Sequence, residues 1–127
     1  MIYLDTHAVA WLFLGRLTLL PRRVLARIER SEELRISPMV AVELDFMHEL
    51  GRTDRPSREV IAVLGAGLGL RVCDLPFPAV AAAAAHLTWT RDPFDRLIVA
   101  QAVVAKAPLV TRDRSIHRHS AVAYWGD

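Results

Sequence analysis

The sequence predicts an α/β fold, one domain on a short parallel β-sheet of four to five strands flanked by helices on both faces. Three observations predict it. Short apolar runs of strand length alternate with segments of helical periodicity along the whole chain, the order that builds parallel sheets. Helix starts are marked by a capping residue followed by proline, at Ser37-Pro38 and Asp92-Pro93. The 127 residues suffice for one domain that buries about two-thirds of its unfolded surface.

Met1-Ile2-Tyr3-Leu4 reads as the first strand, stopping at Asp5-Thr6-His7 before an apolar helix from Ala8 to Leu14 that Gly15 ends. Pro21 opens the next helix, with Val24, Leu25 and Ile28 inward and Arg22, Arg23, Arg27 and Arg30 outward. Leu34-Arg35-Ile36 is a second strand, and Ser37-Pro38 launches a helix from Met39 to Leu50, closed by Gly51. After the polar loop Thr53 to Ser57 comes a helix from Glu59 to Leu64, with the glycines at 65, 67 and 69 expected to form a turn. Leu70 to Leu75 is a third strand, and an alanine-rich helix runs from Ala79 to Leu87.

The next helix carries the strongest local signal. Asp92 reads as its N-cap, Pro93 occupies the first helical position, and Asp95 the third, where a carboxylate favours the positive helix end. Phe94, Leu97, Ile98, Gln101 and Ala105 follow at helical spacing. Leu109-Val110-Thr111 is a fourth strand ending at Arg112-Asp113, and Val122 to Trp125 a fifth.

Composition narrows the class. Apolar content of 53% with 24% charged residues describes a compact soluble protein, and apolar runs such as Ala8 to Leu14 are far too short to span a bilayer. No basic segment precedes that run as in a secretory signal, so a cytoplasmic protein with no membrane partner is expected. The single cysteine, Cys73, can form no internal disulfide and is expected to be buried and inert. Net charge is only +2, but every cation except Lys106 is arginine, whose fork suits phosphate. That leans toward nucleic acid, although solvated surface arginines would look the same.

Four acids stand out. Asp5 lies just past the first strand, Glu43 in the helix after the second, Asp95 at a helix start, and Asp113 just past the fourth strand. In an open α/β sheet these positions converge at the carboxyl edge of the strands, where such folds place ligands. Glu43 shares a stripe with Met39, Val40, Phe46 and Met47, so it needs a partner, either a buried arginine or a metal. Asp45, on the other side with His48 and Glu49, is expected to be simply solvated. Carboxylates gathered at one point repel unless cations neutralise them.

All-oxygen ligation points to Mg²⁺ or Mn²⁺ rather than zinc, since His7, His48, His86, His117 and His119 show no ligand spacing. A carboxylate-held metal site suits the activation of water and stabilisation of the departing oxygen in phosphodiester hydrolysis. Thr6 and Thr111 stand beside the acids and offer supporting hydroxyls, with turn capping an equal role for Thr6.

Taken together, Ile2-Tyr3-Leu4-Asp5-Thr6, Ser37 with Glu43-Leu44, Asp92-Pro93-Phe94-Asp95-Arg96-Leu97-Ile98-Val99-Ala100-Gln101-Ala102, and Leu109-Val110-Thr111-Arg112-Asp113 resemble the PIN-domain family, and within it the VapC-type toxin ribonucleases. The resemblance spans nearly the whole chain, with the motifs in order. It implies a Mg²⁺-dependent endoribonuclease of a toxin–antitoxin pair, inhibited by a VapB-like antitoxin. The family acids fall on Asp5, Glu43, Asp95 and Asp113, with Asp92, Arg96, Thr6 and Thr111 supporting. Asp92 matches a common acid of the subgroup and also reads as a structural cap. Thr90 replaces a histidine frequent in relatives, and the tail with His117, Arg118 and His119 is unusually basic, which bears on substrate choice.

Other readings lose key residues. A haloacid-dehalogenase-like phosphotransferase needs an Asp where His7 stands, and a receiver domain needs a lysine after a late strand, whereas Lys106 sits in a helical pattern. A structure-specific DNA nuclease would be expected to carry further elements for gripping substrate. The alternative of another class is a non-catalytic PIN-fold interaction module binding RNA or a protein partner. The stretch Trp11-Leu12-Phe13-Leu14 with Leu17, Leu19 and Leu20 holds more large apolar side chains than one helix face can bury, so a groove for an amphipathic partner helix and a homodimer or higher assembly are expected.

Overall fold

The computed structural model describes residues 1–126. Strand β1 (Ile2–Leu4) leads into helix α1 (Thr6–Phe13), a 3₁₀ turn (Leu17–Leu19), α2 (Arg22–Arg30), β2 (Leu34–Ile36), α3 (Pro38–Glu49) and α4 (Ser57–Leu68). The chain continues through β3 (Arg71–Val72), α5 (Phe77–Ala84), α6 (Pro93–Ala105), β4 (Leu109–Val110), α7 (Arg114–His119) and β5 (Ala123–Tyr124). The strands form one five-stranded sheet in the order β3-β2-β1-β4-β5, parallel at every pairing. This is the α/β architecture expected of the sequence. Ile2, Tyr3 and Leu4 point alternately to opposite faces, yet all are buried, so helices cover β1 on both sides.

The strand order positions the site. From β1 the chain moves outward to β2 and β3, then returns to pair β4 on the other flank of β1. The carboxyl ends of β1 and β4 therefore flank the point where the winding reverses, the crevice in which open α/β sheets hold ligands. Register fixes the detail: Leu4 pairs with Val110, and the Asp5 N–H donates to the Val110 carbonyl at 3.1 Å. Asp5 thus lies beside Thr111 as the two strands end.

Several elements differ from expectation, each for a local reason. Helix α1 begins at Thr6 rather than Ala8, because Asp5 caps it, accepting from the Ala8 N–H at 2.9 Å. Helix α4 runs through Gly65 and Gly67 to Leu68, and only Gly69 makes the turn, at φ 73°. A Cβ on Gly65 would meet the Leu70 carbonyl oxygen at 3.3 Å, so the glycine serves close packing of the strand entry. Helix α5 starts earlier and ends sooner than its alanine run suggests. Lys106 lies beyond the helical interior as the left-handed cap of α6, at φ 54°. The basic tail residues His117, Arg118 and His119 form the last turn of an unexpected short helix, α7, where cations favour the helix dipole.

Asp45 also requires correction. It is half-buried rather than simply solvated, and its carboxylate accepts from the Ser57 N–H and the Ser57 hydroxyl, each at 2.8 Å. An acid of α3 thereby serves as the cap of α4. Cys73 is buried as expected, with the Tyr3 hydroxyl donating to its sulfur at 2.9 Å. Leu14, Leu17 and Leu19 are 48%, 46% and 38% exposed, so the apolar surplus of that stretch does reach the surface. Among the described residues no helix is long and apolar enough to cross a membrane.

Candidate active site

A cavity of about 210 Å³ opens at the carboxyl edge of β1 and β4. Asp5, Thr6, Glu43, Asp95 and Asp113 line it, together with His7, Trp11, Ile98, Arg112 and Ile116. The four acids named from the sequence share one pocket although they arise from four distant segments. Each arrives by a different device. Asp5 ends β1 and caps α1. Asp113 follows β4 and caps α7, its Oδ1 accepting from the N–H groups of Ser115 and Ile116 at 2.8 and 3.0 Å. Asp95 stands in the first turn of α6, and Glu43 projects from mid-α3.

The helices bearing Glu43 and Asp95 are tied together behind the pocket. The buried Ser37 hydroxyl, at the start of α3, donates to Gln101 Oε1 of α6 at 3.2 Å. Thr6, buried at the start of α1, donates its hydroxyl to Glu43 Oε1, joining β1's exit to α3. The half-buried Glu43 therefore has a hydroxyl as its partner rather than an arginine, and among the described residues it makes no salt bridge.

Electrostatics register the crowding. Burial, above all, pushes the Asp95 carboxyl up to about 6, and the charges of Asp92, Asp113, Glu43 and Asp5 push it the same way. Burial also raises Asp5 above the ordinary carboxylate range, and Glu43 adds to the rise. The Thr111 hydroxyl, the Ala8 N–H and nearby His7 favour the charged form of Asp5 and offset part of that rise.

The supporting residues divide. Thr6 lines the cavity, while Thr111 is fully buried behind it and its hydroxyl accepts from the Asp113 N–H at 3.1 Å. Asp92 does not line the cavity; it is exposed and accepts from the N–H groups of Phe94 and Asp95 at 2.9 and 3.4 Å, a helix cap. Arg96 turns away as well, donating from Nε to the Thr90 carbonyl at 2.7 Å and bracing the loop before α6. Trp11, expected only as part of an apolar stretch for a partner helix, and Arg112, expected only as the neighbour of Asp113, also line the pocket. Trp11 falls four positions after His7 on α1, a placement visible only once Asp5 is known to start that helix.

The donor set is all carboxylate and hydroxyl oxygen, which fits a hard divalent cation. Among the described residues no three His, Cys, Asp or Glu side chains already stand as a group able to hold an ion. Asp113 and Glu43 each commit one carboxylate oxygen to the hydrogen bonds described above and keep the other for a ligand.

No curated protein matches the sequence. Among solved structures the chain is similar to one in VapBC2 from Rickettsia felis bound to a DNA fragment from their promoter, at 18% identity, with 94% of this chain and 93% of that chain covered and a TM-score of 0.65. At that identity the likeness establishes a shared fold. The family model described as the PIN domain matches residues 2–122, nearly the whole length, and the chain belongs to the PIN-domain family.

Proposed function

We propose that the protein is a VapC-type toxin, an endoribonuclease that hydrolyses RNA phosphodiester bonds with Mg²⁺ or Mn²⁺ and is held inactive by a VapB-like antitoxin. The observation that carries this reading is the convergence of Asp5, Glu43, Asp95 and Asp113 on one cavity at the reversal point of a parallel sheet. Four carboxylates so placed repel one another, and burial with that repulsion raises the Asp95 carboxyl to about 6. A fold keeps such an arrangement when a cation offsets the repulsion.

In this reading Asp5, Glu43, Asp95 and Asp113 hold the ion. When bound, it supplies Lewis acidity toward the phosphoryl oxygens of the substrate. The chain's own residues do the rest by preorganisation. Thr6 fixes the rotamer of Glu43, the Ala8 N–H holds Asp5, and the first N–H groups of α7 hold Asp113. Ile98 and Ile116 line the cavity beside the acids and give it an apolar side.

The structural neighbour is a VapBC complex, which supports an antitoxin as partner here. The exposed Leu14, Leu17 and Leu19 are the surface proposed for its amphipathic helix. A homodimer, or a higher toxin–antitoxin assembly, and a cytoplasmic location belong to the same proposal.

Asp5→Asn tests it. Asparagine keeps an N-cap acceptor for α1, so the variant should fold, yet RNA cleavage should fall by orders of magnitude. Chelation of divalent ions should abolish wild-type cleavage and added Mg²⁺ should restore it. Full cleavage by pure Asp5→Asn, or by the chelated wild type, would overturn the reading, while the absence of any wild-type cleavage would favour the non-catalytic interaction module.

A further inference from the structure

Among the described residues Arg112 is the one guanidinium that lines the acid cavity, one residue before Asp113. A cation beside four carboxylates is expected to fall onto them. Arg112 does not. Among the described residues it makes no salt bridge; its Cζ lies instead 4.7 Å from the centre of the Trp11 ring. Trp11 is itself held in place, edge-on to Trp125 with ring centres 6.2 Å apart and beside His7 at 5.8 Å. The indole face thus carries the guanidinium at the rim of the pocket while the side chain stays exposed to solvent.

This geometry has two chemical effects. Held over the ring by cation–π attraction, the guanidinium needs no acceptor oxygen there, so its N–H donors remain for hydrogen bonds to a phosphate. It also keeps the carboxylates from being neutralised by the protein's own cation. A nucleic-acid strand approaching this cavity meets concentrated negative charge, and Arg112 is the opposing charge at its mouth.

We propose that Arg112 binds a phosphate of the RNA substrate at the rim of the cavity, and that Trp11 is a positioning residue that holds the guanidinium away from Asp5, Glu43, Asp95 and Asp113. The proposal rests on the nuclease reading of the site. Arg112 contacts substrate; Trp11 acts only through Arg112.

The test uses the full chain as wild type, Arg112→Ala, Arg112→Lys, Trp11→Leu and the double variant Trp11→Leu with Arg112→Ala. Two quantities are measured: cleavage of a single-stranded RNA, and calorimetric binding of Mn²⁺ without RNA. Arg112→Ala should raise KM about tenfold with kcat little changed, and Arg112→Lys should recover part of the loss. The dependence of log KM on log salt should weaken by about one phosphate contact in Arg112→Ala. Trp11→Leu should weaken Mn²⁺ binding about tenfold as the released guanidinium settles on the carboxylates, and the double variant should return Mn²⁺ binding to the wild-type value.

An active wild type with unchanged KM and salt dependence in Arg112→Ala overturns the phosphate role and leaves the nuclease reading standing. Mn²⁺ binding as weak in the double variant as in Trp11→Leu overturns the positioning role. Should Trp11→Leu fail to fold, Trp11→Met, which also lacks a ring face, takes its place in both the single and double variants. A wild type that neither cleaves RNA nor binds Mn²⁺ overturns the nuclease reading, and this proposal with it.

Discussion

Asp92 and Asp95 sit three residues apart at one helix start and have opposite surroundings. Asp92 is exposed and engaged with the Phe94 and Asp95 N–H groups, whereas Asp95 lines the acid cavity. Asp92→Ser retains an acceptor for those donors, so it should cost well under about 1 kcal/mol and leave most cleavage intact. Asp95→Ser should lose orders of magnitude in rate at a similarly small cost in stability. Cleavage by the two purified variants across a Mg²⁺ titration checks this, and a dead Asp92→Ser beside an active Asp95→Ser would reverse the assignment. The raised Asp95 carboxyl adds a pH signature. Its folded value, about 6, exceeds the ordinary 3.8, so folding favours the protonated form. That contribution is complete below the ordinary value and is lost as pH rises through about 6. Metal-free protein should therefore lose stability across this window, and Asp95→Asn should flatten the loss in melts recorded at several pH values. Equal pH slopes for the two proteins would remove Asp95 from the crowded cluster.

At the scale of elements, the sequence was legible where one residue type does one job. Helix α6 could be placed from its first residue because Asp92 supplies the cap and Pro93 the backbone angle. Asp5 was legible as an acid at a strand end but not as a cap, and α1 consequently starts earlier than its apolar run. Helix α4 hid behind Gly65 and Gly67, which read locally as a turn, yet packing carries the helix through them. Helix α7 hid because its six residues hold a single buried apolar side chain, Ile116, and so show no periodicity. That four acids line one cavity could be expected from their positions at strand ends, at a helix start and on an inward stripe; the Trp11–Arg112 pair could not, since only the folded chain brings α1 against the end of β4. Asp45 is the sharpest case. From α3 it caps α4 through Ser57, so Asp45→Ala should cost about 0.5–2 kcal/mol in denaturant unfolding while RNA cleavage is retained. An unchanged midpoint would show that the link between the two helices contributes nothing.

For the whole molecule, the acid cluster is a strain shared by the fold. Asp5 and Asp113 follow β1 and β4, and Glu43 and Asp95 stand in α3 and α6, so no local unfolding relieves their repulsion as fully as global unfolding does. A ligand that binds only the assembled cluster stabilises the entire chain by mass action, by about 2.7 kcal/mol at a hundredfold excess over its Kd. Mg²⁺ or Mn²⁺ should thus raise the Tm of the wild type, and a chelator should reverse the rise. Screening by any salt also weakens repulsion, but NaCl at matched ionic strength supplies screening without coordination. Asp5→Asn separates the two effects further. With one negative charge removed and the α1 cap retained, its metal-free Tm should equal or exceed that of the wild type, while most of the divalent-ion increment should vanish. Melting curves of both proteins in chelator, NaCl and Mg²⁺ decide the matter: a rise that NaCl reproduces, or one that Asp5→Asn keeps in full, would mean that the four carboxylates do not act as one cation site.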